Sequence, residues 1–168
     1  MATIANTNVD VSRGHPYLKY MYSSFLYINK SYYSSLTYSL QLKHNFSNDP
    51  SLSFLIALSN LHRAMGRQTL NTNFQILQGL TYMLEYAKKK DLTKPYNQME
   101  VNYNMGRCFN LIGLDTLAVG FYEKVLEIEP IDNRFDLRKE AAYNLWIVYN
   151  SNKNHKMAEE IMDKYLVI

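Results

Sequence analysis

The sequence predicts an all-α chain, a right-handed α-solenoid of about four helix hairpins. Three observations carry that expectation. Apolar residues recur at three- and four-residue steps, as in Tyr103, Met105, Cys108, Phe109 and Ile112, and they do not alternate as a strand requires. Small residues recur twelve positions apart, at Ser23 and Ser35 and at Gly106 and Ala118, where two helices of a pair could approach closely. Glycine and proline are few, six and four in 168 residues, a composition that suits helices.

The elements follow in chain order. The first dozen residues are polar and aperiodic, so residues 1–13 are expected to be a flexible lead and residues 14–168 the helical array. The first hairpin, about 14–49, places Tyr17, Tyr20, Tyr22, Leu26 and Tyr27 on its first helix. Tyr32, Leu36, Tyr38, Leu40 and Leu42 line its second. The second hairpin, about 50–90, opens with Asn48-Asp49-Pro50, a capping residue followed by a proline that suits the first helical turn. Ser59 is its small position, and its second helix, NTNFQILQGLTYMLEYAKKK, is unusually long. The third, about 99–131, breaks at Gly113 and stops at Pro130. The fourth, about 138–168, repeats the third: Tyr143-Asn144-Leu145 mirrors Tyr103-Asn104-Met105, and Ala158 mirrors Ala118. Trp146 stands where Gly106 would fall, so this last pair is expected to pack differently. The small positions 23, 59, 106 and 146 are 36, 47 and 40 apart, which places insertions near 66–73, 88–99 and 131–138.

Composition excludes several function classes. No apolar run reaches the roughly 18 residues of a membrane span, and no membrane contact is expected. The N-terminus lacks the basic-then-apolar order of a signal peptide. One cysteine cannot form an internal disulfide, which favours a reducing compartment; the sequons at Asn29 and Asn45 are then chance occurrences. The net charge of +3, from 18 basic and 15 acidic residues, is too mild for a nucleic-acid surface. Lys88-Lys89-Lys90 with Lys94 reads as a solvated helix end, where cations complement the helix dipole. His15, His44, His62 and His155 are scattered without ligand spacing, and no basic partner that would activate Cys108 as a nucleophile is evident, so it reads as a buried structural thiol. No metal, cofactor or catalytic motif is present, so no catalytic, cofactor-binding or metal residue is assigned. Fifteen tyrosines against seven phenylalanines suit core edges and interfaces alike.

The third hairpin resembles the tetratricopeptide repeat, a 34-residue helix-turn-helix unit. Met105-Gly106, Phe109, Gly113, Ala118, Tyr122, Val125 and Pro130 occupy its defining positions, with Asn102 where the family usually has Trp and Val125 where it has Ala. The resemblance implies a concave groove lined by the first helix of each pair. Its groove positions would be Tyr20, Tyr27, Asn60, Arg63, Tyr103, Arg107, Asn110 and Tyr143. The lysines with which chaperone-binding members of that family clamp a terminal carboxylate are missing, so a chaperone-tail receptor is not expected.

A more specific resemblance spans about residues 15–168. LIALSNLHRAMGRQTLNTNFQILQGLTYMLEY, EVNYNMGRCFNLIGLDTLAVGFYEKVLEI and DLRKEAAYNLWIVYNSNKNHKMAEEIMDKYLVI are similar, in that order, to the C-terminal part of the tetratricopeptide-repeat subunit of transcription factor TFIIIC. This implies a nuclear, non-catalytic scaffold at RNA polymerase III promoters, with other TFIIIC subunits as partners and TFIIIB components as further ones. Direct DNA or RNA contact is expected to be minor. A generic tetratricopeptide adaptor shares the fold and differs only in partner. An RNA-binding helical repeat is a third reading, for which Tyr20, Tyr27, Tyr103, Arg63 and Arg107 would have to converge.

Overall fold

A computed structural model describes residues 15–130 and 135–166. The expected lead at 1–13, half of the 131–138 insertion and the last two residues lie outside the described residues. All regular structure among the described residues is helical, in eight α-helices followed by one π-helical turn at Met162–Leu166. They group into two compact units, divided between Lys89 and Lys90.

The first unit holds α1 (Pro16–Ile28), α2 (Tyr32–Leu42), α3 (Pro50–Met65) and α4 (Thr72–Lys89), each packed against the next. Local chemistry starts them. Pro16 and Pro50 occupy first-turn positions, where a missing N–H is no loss. Asp49 caps α3 by accepting the Ser51 N–H at 2.7 Å, and Asn71 accepts the Phe74 N–H at 3.3 Å before α4. Leu36, Leu42, Leu52 and Ile56 form a core against which Tyr20, Phe46 and Tyr82 pack. Each such leucine or isoleucine contributes about 1.5–3 kcal/mol on full burial.

Buried serines tie α1, α2 and α3 together. Ser23 donates to the Ser35 carbonyl at 3.1 Å and shares a hydroxyl contact with Ser39, while the Ser35 and Ser59 hydroxyls lie 3.2 Å apart. All four are fully enclosed. A larger side chain would part the helices; alanine would remove the partners that keep these buried hydroxyls satisfied.

In the second unit, α5 (Pro95–Leu111), α6 (Asp115–Glu127), α7 (Arg138–Ser151) and α8 (His155–Ile161) pack in sequence. Only residues 90–94 separate Lys89 from Pro95, so much of the 88–99 stretch read as an insertion is helix. Met99, Ala118, Tyr122, Val125, Ala141 and Leu145 form the core. Gly113, at φ +77°, turns α5 toward α6 in a conformation that favours glycine. Gly106 admits the Tyr122 ring: a Cβ there would lie 2.6 Å from Tyr122 Cε1.

Candidate protein-interaction surface

In the first unit, α1 and α3 carry four of the groove residues named from sequence. Tyr20 is half-buried and stacks on Phe46, their ring centroids 5.7 Å apart. Burial pushes its phenol above the ordinary range, and the nearby Asp49 adds to the shift. Tyr27 lies 5.6 Å from Tyr32 and 5.7 Å from His62, and Tyr32 stacks on His62 at 4.9 Å. The three rings join α1, α2 and α3, so His62 is an element of packing. Arg63 sets its guanidinium 4.9 Å over the Tyr33 ring and donates to Gln75 Oε1 at 3.3 Å. Asn60 is fully enclosed; its Nδ2 donates to the Ile56 carbonyl at 2.9 Å. Asn60 Oδ1 and Arg63 Nε have no hydrogen-bond partner among the described residues. Asn60 therefore presents no surface, whereas Tyr20, Tyr27 and Arg63 are partly open.

In the second unit, Tyr103 is half-buried, its hydroxyl accepting from Asn144 Nδ2 at 3.4 Å. Arg107 is exposed and lies 5.7 Å over the Tyr103 ring. Asn110 is exposed and donates to Asp115 Oδ1 at 3.1 Å, which bridges the α5–α6 turn. Tyr143 is exposed and stacks with Trp146 at 6.0 Å. Trp146 itself is half-buried, and Ala141, Ala142 and Ala158 are the enclosed small residues of this pair. Pro130 follows α6 and is half-buried.

Two features escaped the sequence reading. Gly79 is the close-approach residue of α4: a Cβ there would meet Leu61 Cδ2 at 2.6 Å and the Ala57 carbonyl at 3.2 Å. It lies twenty residues after Ser59 rather than twelve, because the loop between α3 and α4 is longer than in the other hairpins and Gly79 sits two turns into a longer helix. A glycine inside a long helical pattern was the available signal. The anchoring of Arg63 by Tyr33 and Gln75 had no sequence signal, since both partners lie on other helices.

Chemical groups at these surfaces are few. Burial pushes the Cys108 thiol up to about 12, far from a thiolate at neutral pH. No group of three His, Cys, Asp or Glu residues that could hold a metal ion occurs among the described residues. No helix among them is long and apolar enough to cross a membrane. Lys89 pairs with Glu85 at 2.7 Å and Lys90 with Glu100 at 2.8 Å, so two of the three clustered lysines are engaged within the fold.

Helices packed in successive antiparallel pairs, closed by small residues at their crossings and broken by a left-handed glycine turn, define a tetratricopeptide-like helical repeat protein. Over 170 residues the chain is 40% identical to the transcription factor tau 131 kDa subunit of Saccharomyces cerevisiae, an alignment covering 99% of this chain and 16% of that protein. It is 31% identical over 165 residues to the transcription factor tau subunit sfc4 of Schizosaccharomyces pombe, covering 90% and 16%. It is 29% identical over 148 residues to human general transcription factor 3C polypeptide 3, covering 84% and 16%. No protein-family model matches the chain. The chain is thus homologous to the repeat-containing subunits of TFIIIC and spans 16% of their length.

Proposed function

We propose that this chain is a non-catalytic scaffold segment of a TFIIIC-type complex, acting in the nucleus. It captures extended or helical segments of other TFIIIC subunits on preformed helical surfaces and so supports recruitment of TFIIIB at tRNA-type promoters. The observation that carries the reading is the 40% identity to the tau 131 kDa subunit along 99% of this chain. The surface chemistry suits it: tyrosine and arginine are the residues that most often anchor protein interfaces, and Arg107 over Tyr103 offers both on an exposed face. A preformed surface confines the ordering cost largely to the incoming segment.

The test is a binding panel with the purified chain against each other TFIIIC subunit, the TFIIIB components and a tRNA-gene duplex. Binding to another TFIIIC subunit supports the assembly role, and binding to a TFIIIB component alone moves the segment to the recruitment arm. Binding only to the duplex, with strong salt dependence, overturns the scaffold reading.

A further inference from the structure

The α4 helix is apolar on two opposite faces, and only one of them is covered. Gly79, Met83 and Tyr86 are buried. Roughly 160° around the helix lie Phe74, Leu77, Thr81 and Leu84, at alternating three- and four-residue steps, with Leu70 just ahead of the helix. Leu77 is 64% exposed, Leu84 53%, and Leu70 is fully exposed. An apolar stripe on a helix ordinarily faces a core or a partner, and among the described residues nothing covers this one.

Neighbours within such an array do not account for it. Aligning the enclosed Gly79 with the enclosed Ala118 sets Leu77 and Leu84 against Thr116 and Glu123 of α6, and Lys88 against Glu127. Helix α6 has partners on both sides, α5 and α7, and still leaves Thr116 and Glu127 exposed; Glu123, also exposed, meets α7 by accepting the Tyr149 hydroxyl at 3.1 Å. The Thr116 and Glu127 positions mark the outer face of a hairpin, polar in α6 and occupied by Leu77 and Lys88 in α4. The four-three spacing is the one a second helix meets in knobs-into-holes packing.

Charge selects the occupant. Leu70 adjoins an open hollow of about 490 Å³ that Arg63, Arg67, Gln68, Thr69 and Asn71 also line. Arg67 is held there at φ 54° by its own N–H donating to the Ala64 carbonyl at 3.2 Å. At the other end of the stripe stands exposed Lys88. Glu85, beside it, is neutralised by Lys43 at 3.2 Å and Lys89 at 2.7 Å. The stripe is therefore an apolar seam of about 20 Å, at a rise of about 1.5 Å per residue, with a cation at each end. A second copy of the chain would set cation against cation in either a parallel or an antiparallel pairing.

The geometry points to the outer face of α4 as a docking surface for an acidic amphipathic helix of another protein, its apolar seam on Phe74, Leu77 and Leu84 and its carboxylates reaching Arg67 and Lys88. The seam on Phe74, Leu77 and Leu84 carries none of the groove residues, and only Arg63 among them lines the hollow beside Leu70.

The test uses the whole chain and two fluorescently labelled synthetic helical peptides of about 21 residues, both with a leucine seam, one flanked by glutamates and the other by lysines. The acidic peptide is expected to bind and the basic one to bind at least roughly tenfold more weakly. Leu77→Glu is expected to abolish binding without moving the melting temperature, because the side chain is exposed. The double variant Arg67→Glu, Lys88→Glu is expected to reverse the preference between the peptides. Equal affinity for both peptides, or for neither, overturns the proposal. A lowered melting temperature in Leu77→Glu overturns it by showing the stripe to be packed within the chain. Concentration-dependent self-association that Leu77→Glu removes overturns it in favour of a second copy.

Discussion

Three glycines separate close approach from open space at the level of single atoms. A Cβ at Gly79 would sit 2.6 Å from Leu61 Cδ2, and Leu61 is itself fully buried; one at Gly106 would sit 2.6 Å from Tyr122 Cε1. At Gly120, on the same α6 helix, nothing lies within 4 Å. Alanine is the better helix former by about 1 kcal/mol, so the sign depends on whether the neighbour can yield. Gly79→Ala and Gly106→Ala are expected to lower stability by about 1–3 kcal/mol through overpacking. Gly120→Ala is expected to raise it by about 0.5–1 kcal/mol. Urea midpoints at constant slope measure all three. Cys108 gives a second check at this scale. With burial holding its thiol up to about 12, the native chain is expected to resist a thiol-specific reagent at pH 8 and to react only when unfolded. Rapid labelling of native protein would contradict the enclosed position.

At the scale of elements, Glu85 joins the end of α2 to α4. Burial by itself would raise its carboxyl. Hydrogen bonds from Lys89 and Lys43, together with their charges, outweigh burial and hold it below its ordinary value of 4.5. A carboxyl depressed in the folded state stabilises fully above the unfolded value and loses that contribution as pH falls through the lower folded one. The first unit is therefore expected to weaken on acidification below about pH 4.5, and Glu85→Gln to flatten that limb while lowering stability at pH 7. Equal acid sensitivity in both proteins would place the titration elsewhere. The helices themselves were largely legible in the sequence, because their starts are chemical: Pro50 behind Asp49 marks α3, and Gly113 marks the α5–α6 turn. The length of α4 was legible, but not its register. Twelve-residue spacing holds between Ser23 and Ser35 across a three-residue turn, and it fails at Ser59 and Gly79 because a six-residue loop intervenes and Gly79 lies deeper inside its longer helix. Surface placement was less legible still. Asn60 and Arg63 sit on one helix, yet Asn60 is sealed and Arg63 is held by Tyr33 and Gln75 from two others. Such contacts depend on tertiary neighbours that no periodicity encodes.

Across the whole molecule, the mild charge and its internal pairing favour the proposed protein partners over a nucleic acid. The excess is +3, and the one lysine cluster sends Lys89 and Lys90 into ion pairs with Glu85 and Glu100. A duplex contact would need several free cations on one face, each releasing counterions and steepening the salt dependence. The chain is expected to show no binding to a tRNA-gene duplex at about 150 mM salt, where surface charges act only over about 8 Å. Its partner should instead be held by buried rings and a few charged anchors, with a shallow salt slope. Arg107, the proposed exposed anchor, rests on the face of Tyr103 and lies outside the core, so its removal should cost the fold little. Arg107→Ala is accordingly expected to weaken the bound subunit by about 1–3 kcal/mol, the range of an interface anchor, with an unchanged melting temperature. Calorimetric titration of the two proteins decides it. Unchanged affinity would remove Arg107 from the interface and shift attention to Tyr143, the other exposed groove residue of that unit that packs on an aromatic ring.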